Sequence, residues 1–170
     1  MRSDTKPTAL LTFTGLFAAM ITIMTAWLFH IPYGANGGYI HFGDALIYLA
    51  AVLLPRPYAI GAAVVGAGLS DLLTAPVWVI PTAVIKTLMV LMFSSRTERV
   101  VCPRNLIGVG LACLINIAGY FLATGVLYQD WLFPVVRLYT DVLPPVVCGA
   151  LFCLLGRIID RTGLKARFFV

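Results

Sequence analysis

Apolar runs of bilayer-spanning length alternate along this chain with short clusters of Gly, Pro and Arg. They fall at about 8–30, 40–54, 57–73, 77–95, 105–128 and 134–157, each near the roughly 20 residues that carry a helix across a membrane, with the second and third runs shorter. The pattern predicts an all-α membrane protein, a bundle of six transmembrane helices using residues 1–170 as a single domain. An even number of spans puts both termini on one side, together with the turns at 55–57 and 95–104. That side holds Arg2, Lys6, Arg56, Arg96, Arg99, Arg104, Arg157, Arg161, Lys165 and Arg167, whereas the opposite loops hold no Lys or Arg. The positive-inside bias therefore sets the N- and C-termini in the cytoplasm, and omitting one span would scramble that segregation. Trp27, Trp78 and Trp131 all fall at the predicted outer ends, where interfacial aromatics belong.

Composition agrees. The chain is 61% hydrophobic and 11% charged, with a mean hydropathy of +0.96, far from the balance of a soluble domain. A net charge of +5 raises the question of nucleic acid, but the bases are scattered between apolar runs and form no stripe with interleaved aromatics, so no nucleic-acid partner is expected. Leu10 to Phe29 is long enough to span and is followed by no clear small-residue cleavage site, so it reads as a retained first helix and not a signal peptide. Cys102 adjoins a predicted cytoplasmic loop, and Cys113, Cys148 and Cys153 lie inside spans without metal-ligand spacing. They read as packing thiols, and no metal or cofactor is expected. There is no convincing internal repeat of the kind that marks many secondary transporters, so a self-powered transporter is not expected.

Ionisable groups inside spans cost at least ~2.5 kcal/mol near a helix centre, so each needs a partner or a purpose. His41 and Asp44 sit in the first turns of the second span, Asp71 near the outer end of the third, and Lys86 deeper in the fourth. Asn116 lies mid-span in the fifth, and Arg137 and Asp141 occupy the outer half of the sixth. The cytoplasmic half reads as nearly pure hydrocarbon apart from the bases at the loop edges. That asymmetry describes a pocket open to the outside, not a channel. Each residue also has a plainer reading. Arg137 and Asp141 are spaced i, i+4 and suit a helix-stabilising pair. Lys86 suits an ion pair with Asp71 or Asp44, and His41 with Asp44 suits a polar helix start. Asn116 and Tyr120 share a helix face that serves a flat heteroaromatic ligand or an interhelical hydrogen bond equally well. The first outer loop, Ile31 to Tyr39, combines three glycines with two tyrosines, the makings of a cap or of an ordinary connection. Gly15, Ala18 and Ala19 in the first span, and Gly61, Ala62, Gly66 and Ala67 in the third, allow close helix approach, either internally or to another membrane protein.

One family unites these features. Gly38-Tyr-Ile-His-Phe-Gly-Asp-Ala45, the apolar run to Leu54, then Tyr58-Ala-Ile-Gly61, Gly66, Gly68, Ser70-Asp71 and Pro81 with Lys86 resemble the substrate-binding S components of energy-coupling factor (ECF) transporters, in the branch of the riboflavin and hydroxymethylpyrimidine or pyridoxine types. The Gly15-x-x-x-Ala19 face resembles the Ala-x-x-x-Ala motif by which such components dock on a transmembrane coupling protein. The resemblance implies capture of a vitamin or related precursor on the extracellular side. It also implies partnership with that coupling protein and two ATP-binding subunits, in the plasma membrane of a bacterial cell. The chain has no Gly-x-x-x-x-Gly-Lys-Ser/Thr loop, so energy is expected from the partners. Candidate substrate contacts are Tyr39, His41, Asp44, Asp71, Trp78, Lys86, Asn116, Tyr120, Arg137 and Asp141. Candidate ligands are a deazapurine queuosine precursor, a pyridoxine- or hydroxymethylpyrimidine-like compound, and riboflavin. The last helix departs from the family pattern at Tyr139 to Pro145, so the ligand itself does not carry over. A noncatalytic scaffold is the alternative. An intramembrane enzyme is disfavoured, because His30 and His41 lie at the outer edge without a His-Glu-x-x-His or paired-carboxylate motif.

Overall fold

A computed structural model describes residues 7–28, 31–33, 38–40 and 42–168. Helix α1 runs Pro7–Ala26 and is followed by a two-stranded antiparallel hairpin, β1 (Ile31–Tyr33) and β2 (Gly38–Ile40), in which Pro32 faces Tyr39. Then come α2 (Gly43–Leu53), α3 (Arg56–Thr74), a 3-10 turn at Pro76–Trp78, α4 (Val79–Leu91), α5 (Pro103–Tyr128), α6 (Leu132–Thr162) and the short α7 (Leu164–Phe168). The expectation of an all-α architecture holds for the bundle, and the hairpin is its exception. Helices α1, α3, α5 and α6, at 20, 19, 26 and 31 residues, are long and apolar enough to cross a membrane; α2 and Pro76–Leu91 are apolar but shorter.

Short α2 is the centre of the bundle. Every residue of it except Leu46 is buried, which is why its sequence is apolar on all sides instead of on one stripe. It stops at Pro55 and Pro57, where Pro55 adopts an extended ψ of 145° and Pro57 occupies the first turn of α3, a position that loses no helical hydrogen bond. Around α2 pack α1, α3, α4 and α6. The α1–α3 contact is close because Gly66 has no side chain: a Cβ there would lie 2.8 Å from the Ala18 carbonyl and 2.8 Å from Ile21 Cβ. Thr22 Oγ1 donates to Gly66 O at 2.9 Å across the same seam. Helix α6 continues through Pro144 and Pro145, beyond its expected end near 157. Large apolar residues cover the outside, among them Leu11, Leu72, Ile80, Leu114, Leu132 and Leu154, each more than half exposed. Such a surface suits lipid and not water.

At the arginine-rich end the structure adds a polar loop inside the expected fourth span. Helix α4 ends at Leu91, short of the expected 95, and residues 92–102 fold back as a loop over fully buried Asn105. The Asn105 amide donates to Val100 O at 3.0 Å and Thr97 Oγ1 at 3.2 Å, and its Oδ1 accepts the Ser94 N–H at 3.0 Å. Asp160 on α6 accepts the Val100 and Val101 N–H groups at 2.7 and 2.9 Å. Gly163, at φ 64°, turns the chain into α7, from which Lys165 donates to Thr97 O at 2.6 Å. The loop's backbone groups cannot pair in a helix, so side chains satisfy them.

Candidate functional site

Trp78, Thr82 and Lys86 are spaced i, i+4, i+8 through the 3-10 turn and α4, so they line one face. Thr82 and Lys86 are buried against α5, whose Asn116 and Tyr120 are again i, i+4. The first turn of α2 brings Asp44 to the same place. Lys86 Nζ lies 2.7 Å from Asp44 Oδ1, with both side chains under 5% exposed, and donates to Asn116 Oδ1 at 2.9 Å. It also stands over the Tyr120 ring, 5.2 Å from its centroid. Of the two carboxylates open to Lys86 in the sequence, Asp44 is the partner. A buried ammonium with a carboxylate, an amide oxygen and an aromatic face around it is compensated on every side.

Above this anchor runs an aromatic wall. The Tyr120 phenol and the Thr82 hydroxyl are hydrogen-bonded at 2.9 Å, and the Trp78 ring centroid lies 5.7 Å from Tyr120 and 6.3 Å from Tyr128. Tyr128 meets Phe133 edge-on at 5.6 Å, and the Arg137 guanidinium sits 5.7 Å from the Phe133 ring. Arg137 pairs with Asp141 at 3.4 Å, as their spacing suggested, each side chain about one quarter exposed. These two residues form a second polar group, which among the described residues is linked to the Lys86 site through the aromatic wall. Asp71 lies near the end of α3, and its Oδ2 and the Arg137 Nε are buried without a hydrogen-bond partner.

The structure thus brings Asp44, Asp71, Trp78, Lys86, Asn116 and Tyr120 into one constellation. Thr82 belongs with them and was missed; its spacing midway between Trp78 and Lys86 was the available signal. Tyr39 lies on β2, which packs against α6, and His41 lies outside the described residues. On α1, Gly15 and Ala19 face outward, and a Cβ on Gly15 would meet nothing within 4 Å. Ala18 does not share that face: it is 6% exposed and turned toward α3, since neighbours on a helix diverge by about 100°. Among the described residues no group of three or more His, Cys, Asp or Glu side chains could hold a metal.

A lipid-facing helical bundle enclosing one compensated ion pair beneath an aromatic wall is the build of a membrane-embedded solute-binding protein. The chain belongs to the family described as the ECF-type riboflavin transporter S component, whose sequence model matches residues 6–160. It is 34% identical over 126 residues to an uncharacterized protein in the gap 3' region of Pyrococcus woesei, covering 72% of this chain and 83% of that one. The solved S component of a bacterial ECF transporter shares the fold, with a TM-score of 0.70 at 16% identity over 92% of this chain and 98% of that structure. The protein is accordingly a membrane-embedded, substrate-binding transport subunit and not an enzyme.

Proposed function

We propose that this subunit crosses the membrane six times with both termini in the cytoplasm and captures a flat heteroaromatic vitamin or vitamin precursor from the outside. In this reading α2 and the 3-10/α4 segment span with the help of their flanking turns. The observation that carries the reading is the Asp44–Lys86–Asn116 anchor beneath Trp78 and Tyr120, away from the loop at residues 92–102. A mostly apolar site with a few placed polar groups is what such a solute needs. The hairpin leads directly into the first turn of α2, which carries Asp44, and Tyr39 and His41 on that approach are well placed in sequence to close over a bound molecule. Arg137 and Asp141 form the far rim. The ligand classes weighed from the sequence, a deazapurine, a pyridoxine- or hydroxymethylpyrimidine-like compound, and riboflavin, all fit this chemistry.

The partners in this reading are one transmembrane coupling protein, docked on the Gly15/Ala19 face, and two ATP-binding subunits that power release, all at the plasma membrane. Native mass spectrometry of the detergent-purified subunit tests the capture reading. A small aromatic molecule should co-purify, and Lys86→Ala and Trp78→Leu should each weaken it. An empty protein that binds none of the candidate compounds refutes capture and favours a scaffold in which the ion pair only joins helices.

A further inference from the structure

Among the described residues of the constellation, carboxylates outnumber cations. Asp44 and Asp71 supply two carboxylates against the single ammonium of Lys86, which is already engaged by Asp44 and Asn116. Asp71 lies within electrostatic reach of both Lys86 and Asp44. The Thr82 hydroxyl, on the neighbouring helix, is hydrogen-bonded with the Tyr120 phenol at 2.9 Å. Asp71 Oδ2 is left buried and without a donor. Buried polar atoms are nearly always paired, and an exception beside a binding wall calls for a missing partner.

We infer that Asp71 is a specificity-determining contact, whose Oδ2 accepts a hydrogen bond from a ring N–H or amino group of a heteroaromatic ligand lying on the Trp78 and Tyr120 rings. The inference rests on the capture reading and narrows it. The ligand presents a donor edge and is neutral or cationic, because an anion would add charge beside a carboxylate that has no counter-ion of its own. N-alkylation that removes the donor replaces a charge-assisted bond with an unpaired carboxylate oxygen, which is the loss a site built for hydrogen bonding discriminates most strongly.

The experiment is isothermal titration of the detergent-solubilised subunit with matched pairs, each against a form lacking the donor: riboflavin against N3-methylriboflavin, and the 4-amino hydroxymethylpyrimidine against its 4-dimethylamino analogue. Wild type should prefer at least one parent by roughly 10- to 100-fold. Asp71→Leu, which removes the acceptor but keeps an apolar side chain of similar size, should bind both members of that pair alike. Equal binding of parent and methylated compound by wild type overturns the inference without recourse to the variant, and leaves capture intact. Discrimination that persists in Asp71→Leu overturns it too, by assigning the donor to another group. If no parent binds, the inference falls with its ligand class, while capture itself is decided separately by the co-purifying molecule.

Discussion

Removing Lys86 should damage the protein more than removing the whole ion pair. The ammonium and the Asp44 carboxylate approach to 2.7 Å with side chains 4% and 3% exposed, so neither has water to fall back on. Breaking a buried pair by deleting one partner costs about 3–5 kcal/mol, chiefly because the other charge is stranded, whereas exchanging both for apolar groups is often neutral. Lys86→Met should therefore lower the thermal midpoint in detergent on the order of 10 °C, taking ~2–4 °C per kcal/mol for a chain of this size. Lys86→Met combined with Asp44→Leu should recover most of that loss, a coupling of several kcal/mol in a double-mutant cycle. Asn116 then loses its ammonium donor in both backgrounds, so the comparison isolates the stranded carboxylate. Tryptophan fluorescence or size-exclusion after heating reads the midpoint. A single variant that melts within ~2 °C of wild type, or a double variant whose loss is the sum of the singles, would refute the buried-pair account.

Gly66→Val should overpack the α1–α3 seam by about 1–3 kcal/mol, because a Cβ there already meets backbone at 2.8 Å; Gly61→Ala, where the nearest atom is Thr14 Cγ2 at 3.6 Å, should melt like wild type in the same assay. Gly15→Leu should leave melting and ligand capture unchanged, since nothing lies within 4 Å of its Cβ position, yet abolish co-purification with the coupling protein; an unaltered yield of complex would sink the docking assignment. Burial holds the Lys165 ammonium below its ordinary pKa of 10.5. Between the lowered value and 10.5 the unfolded chain binds more protons than the folded one, so stability should rise with pH across that window and stay flat below it. Lys165→Met should erase the slope when midpoints are compared from pH 7 to 10.5.

Much of this was legible in the chain because a membrane makes exceptions conspicuous. Six apolar runs and one-sided arginines outline the bundle, and an Asp or Lys inside an apolar run announces itself through its cost. What spacing cannot convey is which helix lies against which. Lys86 had two carboxylates within plausible reach, and only the position of α2 at the centre of the bundle decides for Asp44. The same limit hid Ala18, which shares composition with Gly15 and Ala19 but points toward α3.

Thr82 escaped for a different reason: a hydroxyl can bond its own helix backbone, as Thr12, Thr14 and Thr87 do here, so a threonine in a span carries little signal. Its place in the site emerges only when the Tyr120 phenol arrives from another helix to within 2.9 Å of it. The loop at the arginine-rich end was unreadable on similar grounds. Asn105 and Asp160 are 55 positions apart in sequence and fall at expected span edges, where polar residues need no explanation. Their work is to satisfy loop backbone groups from α5 and α6 at once, with Lys165 of α7 adding a third tether. Three elements are thereby tied at one end of the bundle. At the other end, the buried Asp44–Lys86–Asn116 group is supplied by short α2, by α4 and by α5. The tie among α5, α6 and α7 thus lies away from the Lys86–Asp44 pair, so in the proposed capture reading the cytoplasmic loop is held independently of the binding groups.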